Sequence, residues 1–186
     1  RTVRTSPDTY RAKGTPKKRG REYLLVDGYN IIFAWDDLKE LAEENIEAAR
    51  NKLMDVLCDY QGYRRMTVIL VFDAYKVPGN PGEVQKYHNI HVVYTREAET
   101  ADQYIEKTVH DMAREHQVTV ATSDGMEQII IMGQGARRIS ARDLLAEIRE
   151  SRRELRALHL DPAPKMKRYL LEDVPPEVLE DLKKKE

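Results

Sequence analysis

The sequence predicts an α/β fold: a central, mostly parallel sheet flanked by helices on both faces. Two observations carry this. Short apolar runs of strand length alternate with longer segments whose apolar residues recur at helical spacing, which is the pattern of βαβ units. Three of the runs also end on an aspartate. Residues 23–26 (YLLV) precede Asp27, residues 67–72 (TVILVF) precede Asp73, and residues 118–123 (VTVATS) precede Asp124. In an open parallel sheet the carboxyl ends of the strands share one edge, where ligands bind, so the three acids are expected on one rim.

In order along the chain, residues 23–26 read as a buried strand. Residues 44–60 read as a helix with Ile46, Ala49, Leu53, Val56, Leu57 and Tyr60 on one face. Residues 67–72 give a second buried strand. Residues 76–89 contain Pro78, Gly79, Asn80, Pro81 and Gly82 and are expected to be an irregular loop. Residues 90–94 are the third strand. Thr100 then opens a helix to about His116, with Gln103 at the capping-box position. Residues 118–122 are the fourth strand, followed by a short helix ending near Gly133 or Gly135, and residues 136–139 suit a fifth strand. Ser140 with Asp143 caps a long final helix whose apolar positions are Ala141, Leu144, Leu145, Ile148, Leu155 and Leu158. The expected organisation is a basic, disordered arm over 1–21, one folded domain over 22–160, and a charged tail over 161–186 that packs on the domain or extends from it. No internal repeat is visible.

At 186 residues the chain suits a single domain with a real core, and its 41% apolar and 34% charged content fits a globular protein with a highly charged surface. No apolar run approaches bilayer-spanning length, so no membrane partner is expected. The net charge of -1 conceals an asymmetry. Residues 1–21 hold eight Lys/Arg against Asp8 alone, leaving 23 basic and 31 acidic residues in the remainder. A polyanion would therefore have to be held by local patches and not by bulk charge. Cys58 is the only cysteine, which excludes an intrachain disulfide and thiolate zinc sites and fits a reducing compartment. The chain starts at Arg1 and not Met, as expected of a trimmed product or a piece of a longer one. The arm has the composition of a disordered extension, a tag remnant or a targeting remnant.

Asp102, in the first turn of the helix that Thr100 opens, is a fourth acid for the same rim. Four converging carboxylates repel one another, and a divalent cation relieves that repulsion. Oxygen-only ligands favour Mg2+ or Mn2+ over zinc. Each acid also has a structural explanation. Asp102 suits a helix N-terminus, Asp124 could be an N-cap with Glu127 three residues on, and Asp73 could satisfy backbone donors in the turn after its strand. Asp27 is harder to explain away. It joins an acid, a turn-permitting Gly28 and an amide, Asn30, within four residues.

Five segments, VDGYN (26–30), VFDAY (71–75), ETADQYIE (99–106), ATSDGMEQ (121–128) and GQGARRISARDLL (133–145), resemble in order the YacP-like branch of the NYN domains, which are PIN-like ribonucleases. The likeness runs from about Glu22 through the last helix and into the tail, and residues 1–21 lie outside it. It implies a Rossmann-like PIN/NYN fold and divalent-metal-dependent endonucleolytic cleavage of RNA. For this branch it further implies action on messenger RNA in association with the translating ribosome. Carried over to the matching motifs, it makes Asp27, Asp102 and Asp124 metal ligands. Asn30 becomes a polar partner of the metal water or the phosphate, and Asp73 an outer ligand. The implied setting is a cytoplasm, or an organelle stroma or matrix if the arm is a targeting remnant, with no small-molecule cofactor.

Lys76, Arg96, Arg137 and Arg138 are candidates to hold the RNA strand near the rim. Lys165, Lys167 and Arg168, with the arginines of the last helix, could contact messenger or ribosomal RNA. The bland reading is a solvated face, since Glu150 and Glu154 stand at ion-pair spacing among those arginines. Tyr29, Phe33 and Trp35 could stack on bases, although apolar residues after a strand more often enter a core. The five histidines show no paired spacing for acid–base work. Two rival functions remain: a non-catalytic RNA- or ribosome-binding module, and a different Mg2+-dependent phosphoryl-transfer enzyme. Retention of every acid argues against the first. Tyr29, where an aspartyl-phosphate enzyme would carry a second Asp, argues against the second.

Overall fold

A computed structural model describes residues 20–73, 82–123 and 133–160. Six strands occur there: β1 Glu22–Asp27, β2 Thr67–Phe72, β3 Val84–Tyr87, β4 Ile90–Tyr94, β5 Gln117–Ala121 and β6 Arg137–Ile139. The helices are α1 Gly28–Ala34, α2 Asp36–Glu44, α3 Ile46–Arg64, α4 Ala101–Met112 and α5 Ala141–Leu160. The strands form one sheet in the order β3-β4-β2-β1-β5-β6. Every pairing is parallel except the β3–β4 hairpin. The predicted mostly parallel α/β architecture is therefore observed. Two compact units divide the chain, residues 1–145 and 146–186. None of the described helices is long and apolar enough to cross a membrane.

Strand alternation sorts the core. Leu25, Val71, Val93, Val118 and Val120 pack with Ala101, Ile105 and Val109 of α4. The intervening residues Leu24, Val26, Val68, Leu70 and Phe72 are equally buried, as are Ile32, Leu53 and Leu57 of α1 and α3. Caps fix where the helices begin. Asn45 accepts the Ala48 N–H at 3.0 Å ahead of α3. Thr100 and Gln103 form the expected reciprocal capping box ahead of α4. Ser140 Oγ accepts the Asp143 N–H ahead of α5.

Two expectations need correction. The loop assigned to residues 76–89 holds an edge strand, β3, because a two-residue turn at His88 and Asn89, with His88 at φ 48, folds it back onto β4. Side chains secure that hairpin to α3: Tyr87 Oη donates to Asp55 Oδ1 at 2.7 Å, and Asn89 Nδ2 donates to the Cys58 carbonyl at 2.9 Å. The helix expected over residues 44–60 is present as α3, but two helices that were not expected, α1 from Gly28 and α2, precede it. Three helices in series connect β1 to β2.

Gly28 is what allows so early a start. A Cβ there would lie 2.3 Å from Phe72 Cε1 and 2.9 Å from the Val71 carbonyl oxygen. Backbone stands on one side of it, so no rotamer change makes room. Gly28→Ala is expected to cost on the order of 1–3 kcal/mol through overpacking. Thermal unfolding checks this, and an unchanged midpoint would mean that α1 can shift away from β2.

Candidate active site: an acidic pocket at the end of the central strand

The sheet order places β1 centrally, with β2 and β4 on one side and β5 and β6 on the other. Chain order reverses direction at β1, so the carboxyl end of this strand is the topological switch point. Asp27 is its last residue. An open pocket of about 430 Å³ lies there, lined by Asp27, Tyr29, Asn30, Phe33, Ala34, Asp73, Asp102 and Ser123. Three of the four predicted acids thus meet in one place. Asp124, the fourth, lies outside the described residues, as do Lys76, Lys165, Lys167 and Arg168.

Asp27 is both strand end and N-cap: its Oδ1 accepts the Asn30 N–H at 3.2 Å. The side chain is buried. Burial chiefly pushes its pKa from an ordinary 3.8 up to about 7, opposed by the Asn30 N–H. The charges of Asp102 and Asp73, and a hydrogen bond shared with the Asp102 carboxyl, push the same way as burial. Asp27 therefore resists ionisation more than an ordinary aspartate. Its titration spans neutral pH.

Asp73 has a partner that sequence reasoning did not find. Its Oδ1 accepts the Ala101 N–H at 2.7 Å, across 28 residues. The carboxylate at the end of β2 thus holds the first turn of α4, one residue before Asp102. Asp73→Asn keeps an acceptor oxygen and is expected to preserve this hydrogen bond. Asp73→Ala removes it, and is expected to cost about 1 kcal/mol of stability, as lost caps do, and to displace Asp102. Stability and activity assays on the pair distinguish positioning from ligation. If Asp73→Asn were as damaging as Asp102→Asn, the carboxylate charge itself would be needed.

Asn30 also ties segments together. Its Oδ1 accepts the Ser123 N–H at 2.7 Å, and Ser123 Oγ accepts the Ala141 N–H at 3.3 Å. The Ala141 carbonyl in turn accepts Trp35 Nε1–H at 2.8 Å. Asn30 thus spends its carbonyl on the backbone just before Asp124, and its amide donors are the part suited to a phosphate. Ser123 lines the pocket without having been singled out from the sequence. Only its position before an acid at a strand end could have drawn notice.

The three predicted cations among the described residues lie elsewhere. Arg96 lines a separate groove with Glu83, Glu99, Tyr104 and Lys107. Arg137, at the start of β6, lines a depression with Glu22, Tyr23 and Gln117. Arg138 pairs in register with Val120, and its buried Nε has no hydrogen-bond acceptor among the described residues. None of these three lines the acidic pocket. The aromatic residues divide: Trp35 and Tyr29 are buried, whereas Phe33 is 47% exposed at the pocket rim.

Sheet order, switch point and clustered acids together define an α/β domain of PIN-like architecture. The YacP-like NYN domain model matches residues 24–186, and the chain belongs to that family. NYN domains are part of the PIN-like nuclease superfamily. Over 135 residues, the chain is 45% identical to the uncharacterized protein YacP of Bacillus subtilis (strain 168), covering 72% of this chain and 79% of that protein. It is similar to the crystal structure of Rae1 (YacP) from Bacillus subtilis, with 41% identity, a TM-score of 0.64, and coverage of 87% of this chain and 92% of the other. A tryptophan-to-leucine mutant of Rae1 gives 38% identity and a TM-score of 0.65 over 89% and 99% of the two chains.

Proposed function

We propose that the chain is a divalent-metal-dependent endoribonuclease. The observation that carries this is the meeting of Asp27, Asp73 and Asp102 in one open pocket at the switch point of a nuclease-superfamily fold. The finer reading, messenger RNA on the translating ribosome in the cytoplasm or an organelle interior, is supported by the family likeness alone.

The donors fit Mg2+ or Mn2+ in kind, being oxygen only. Among the described residues, no three His, Cys, Asp or Glu side chains are grouped to hold a metal ion. What is described is an acid pair, Asp27 and Asp102, beside a third acid that holds a helix. The pair would carry the ion together with Asp124. When bound, the ion supplies positive charge for the scissile phosphate and acidifies water.

The remaining work falls to this chain's residues. Asp27 near pH 7 can hold or release a proton on its carboxyl. Asp102 presents its carboxylate to the same space, in register because Asp73 fixes Ala101. Asn30 keeps Asp27 and Ser123 in a constant relation and offers amide hydrogens to a phosphate oxygen. Openness of the pocket suits a polymer that passes through it and not a small molecule that needs enclosure.

The test is cleavage of RNA with and without ribosomes, in Mg2+ or Mn2+, for wild type, Asp27→Asn and Asp102→Asn. Cleavage is expected in the wild type and lost in both variants. Binding to RNA or ribosomes without any cleavage would leave a non-catalytic module instead. Activity that survives both substitutions would sink the acidic-site reading.

A further inference from the structure

The acidic pocket poses a difficulty for its own substrate. Asp27, Asp73 and Asp102 line it, and no cation is among its described lining residues. Apart from the ion proposed above, an uncharged contact would help to hold a polyanionic strand against this acidic lining. Phe33 is placed to provide one. It lines the same pocket and is 47% exposed, while the neighbouring aromatics Tyr29 and Trp35 are 4% and 5% exposed.

The ring is also firmly mounted. It lies nearly parallel to Tyr29, one turn back on α1, with centroids 6.4 Å apart at 26°. Tyr29 packs on Phe72 at 5.1 Å, and Phe72 on Tyr94 at 5.7 Å. Arg50 Nη1 donates to Tyr29 Oη at 3.1 Å and holds the supporting ring in place. Four rings thus stand in series, with Tyr29 and Phe72 buried between the half-buried Tyr94 and the exposed Phe33 at the pocket rim. A fixed aromatic face beside a phosphate-handling site is how single-stranded nucleic acid is held without sequence readout.

We propose that Phe33 is the stacking platform for an unpaired nucleobase next to the scissile phosphate. This rests on the nuclease reading above. A duplex is excluded at this position because its bases are already stacked on one another.

The test uses an RNA oligonucleotide carrying 2-aminopurine, whose fluorescence is quenched on stacking, and Asp27→Asn protein, which should bind without cutting. Quenching is expected with single-stranded and not with double-stranded RNA. Adding Phe33→Ala should remove the quench and weaken binding about tenfold, within the range that stacked bases contribute, without altering the salt dependence. Phe33→Leu should be no better, and Phe33→Trp should restore both. In the active protein, Phe33→Ala should raise KM by more than it lowers kcat. Restoration by Phe33→Leu would overturn the proposal, because it would make the site a generic apolar contact such as a protein partner would use. An undiminished quench with Phe33→Ala overturns it as well. Quenching without any wild-type cleavage supports stacking and removes the nuclease reading. Cleavage with a quench indifferent to Phe33 does the reverse, and failure of both removes both.

Discussion

Asp27→Asn is expected to abolish cleavage and at the same time to stabilise the fold at neutral and alkaline pH. The two effects share one cause. Below pH 3.8 the Asp27 carboxyl is protonated in folded and unfolded chains alike. Between 3.8 and about 7 the unfolded chain has released the proton while the folded chain still holds it. Stability therefore falls as pH rises through that window and levels off above it. The interval corresponds to about 4 kcal/mol as a ceiling, at about 1.4 kcal/mol per pH unit. Asparagine carries no charge to bury, yet its side-chain oxygen can still cap α1. Denaturant unfolding at pH 5 and pH 8 checks this. The variant should exceed wild type at pH 8, with the gap narrowing towards pH 4. A variant less stable than wild type at pH 8 would mean that the Asp27 carboxylate is favourably paired in the fold.

Chelation should have the second large effect. With EDTA in place of Mg2+ or Mn2+, cleavage is expected to disappear, and restoring the ion should return it. The ion should also raise the unfolding midpoint, since a ligand at a hundredfold its dissociation constant contributes about 2.7 kcal/mol. That rise should be greater at pH 8 than at pH 6, because the ion competes with the Asp27 proton. Asp27→Asn and Asp102→Asn should both erase it. Cleavage in EDTA with no midpoint shift in either ion would rule out the metal-dependent reading and leave the acids as proton carriers only.

The central parallel strands were legible because burial on both faces demands unbroken apolar runs, as in residues 67–72. The start of α4 was legible too, since Thr100 and Gln103 satisfy each other's backbone through contacts three residues apart. Asp27, Asp73 and Asp102 could be placed on one rim because parallel strands share a carboxyl edge. What the sequence hid depended on distant partners. Asp73 bonds to Ala101, 28 residues on, and nothing near Asp73 announces that. The helix at Gly28 looked like a turn, since its need for a bare Cα comes from Phe72. Strand β3 was masked by the prolines and glycines before it. Phe33 and Trp35 stand two residues apart in one apolar stretch, so their opposite burial follows only from the direction in which α1 runs.

The chain of contacts from Asn30 through Ser123 to Ala141, closed by Trp35, has a consequence for when the protein can act. The strand-to-helix junction that bears the first acid gains its partners from segments 93 and 106 residues later. During synthesis, Asp27 leaves the ribosome long before Ala141 exists, and domains settle only once such distant segments are available. A half-made chain has its acids but not their frame. If the chain cleaves RNA as proposed above, that activity is expected only once residue 141 has been made.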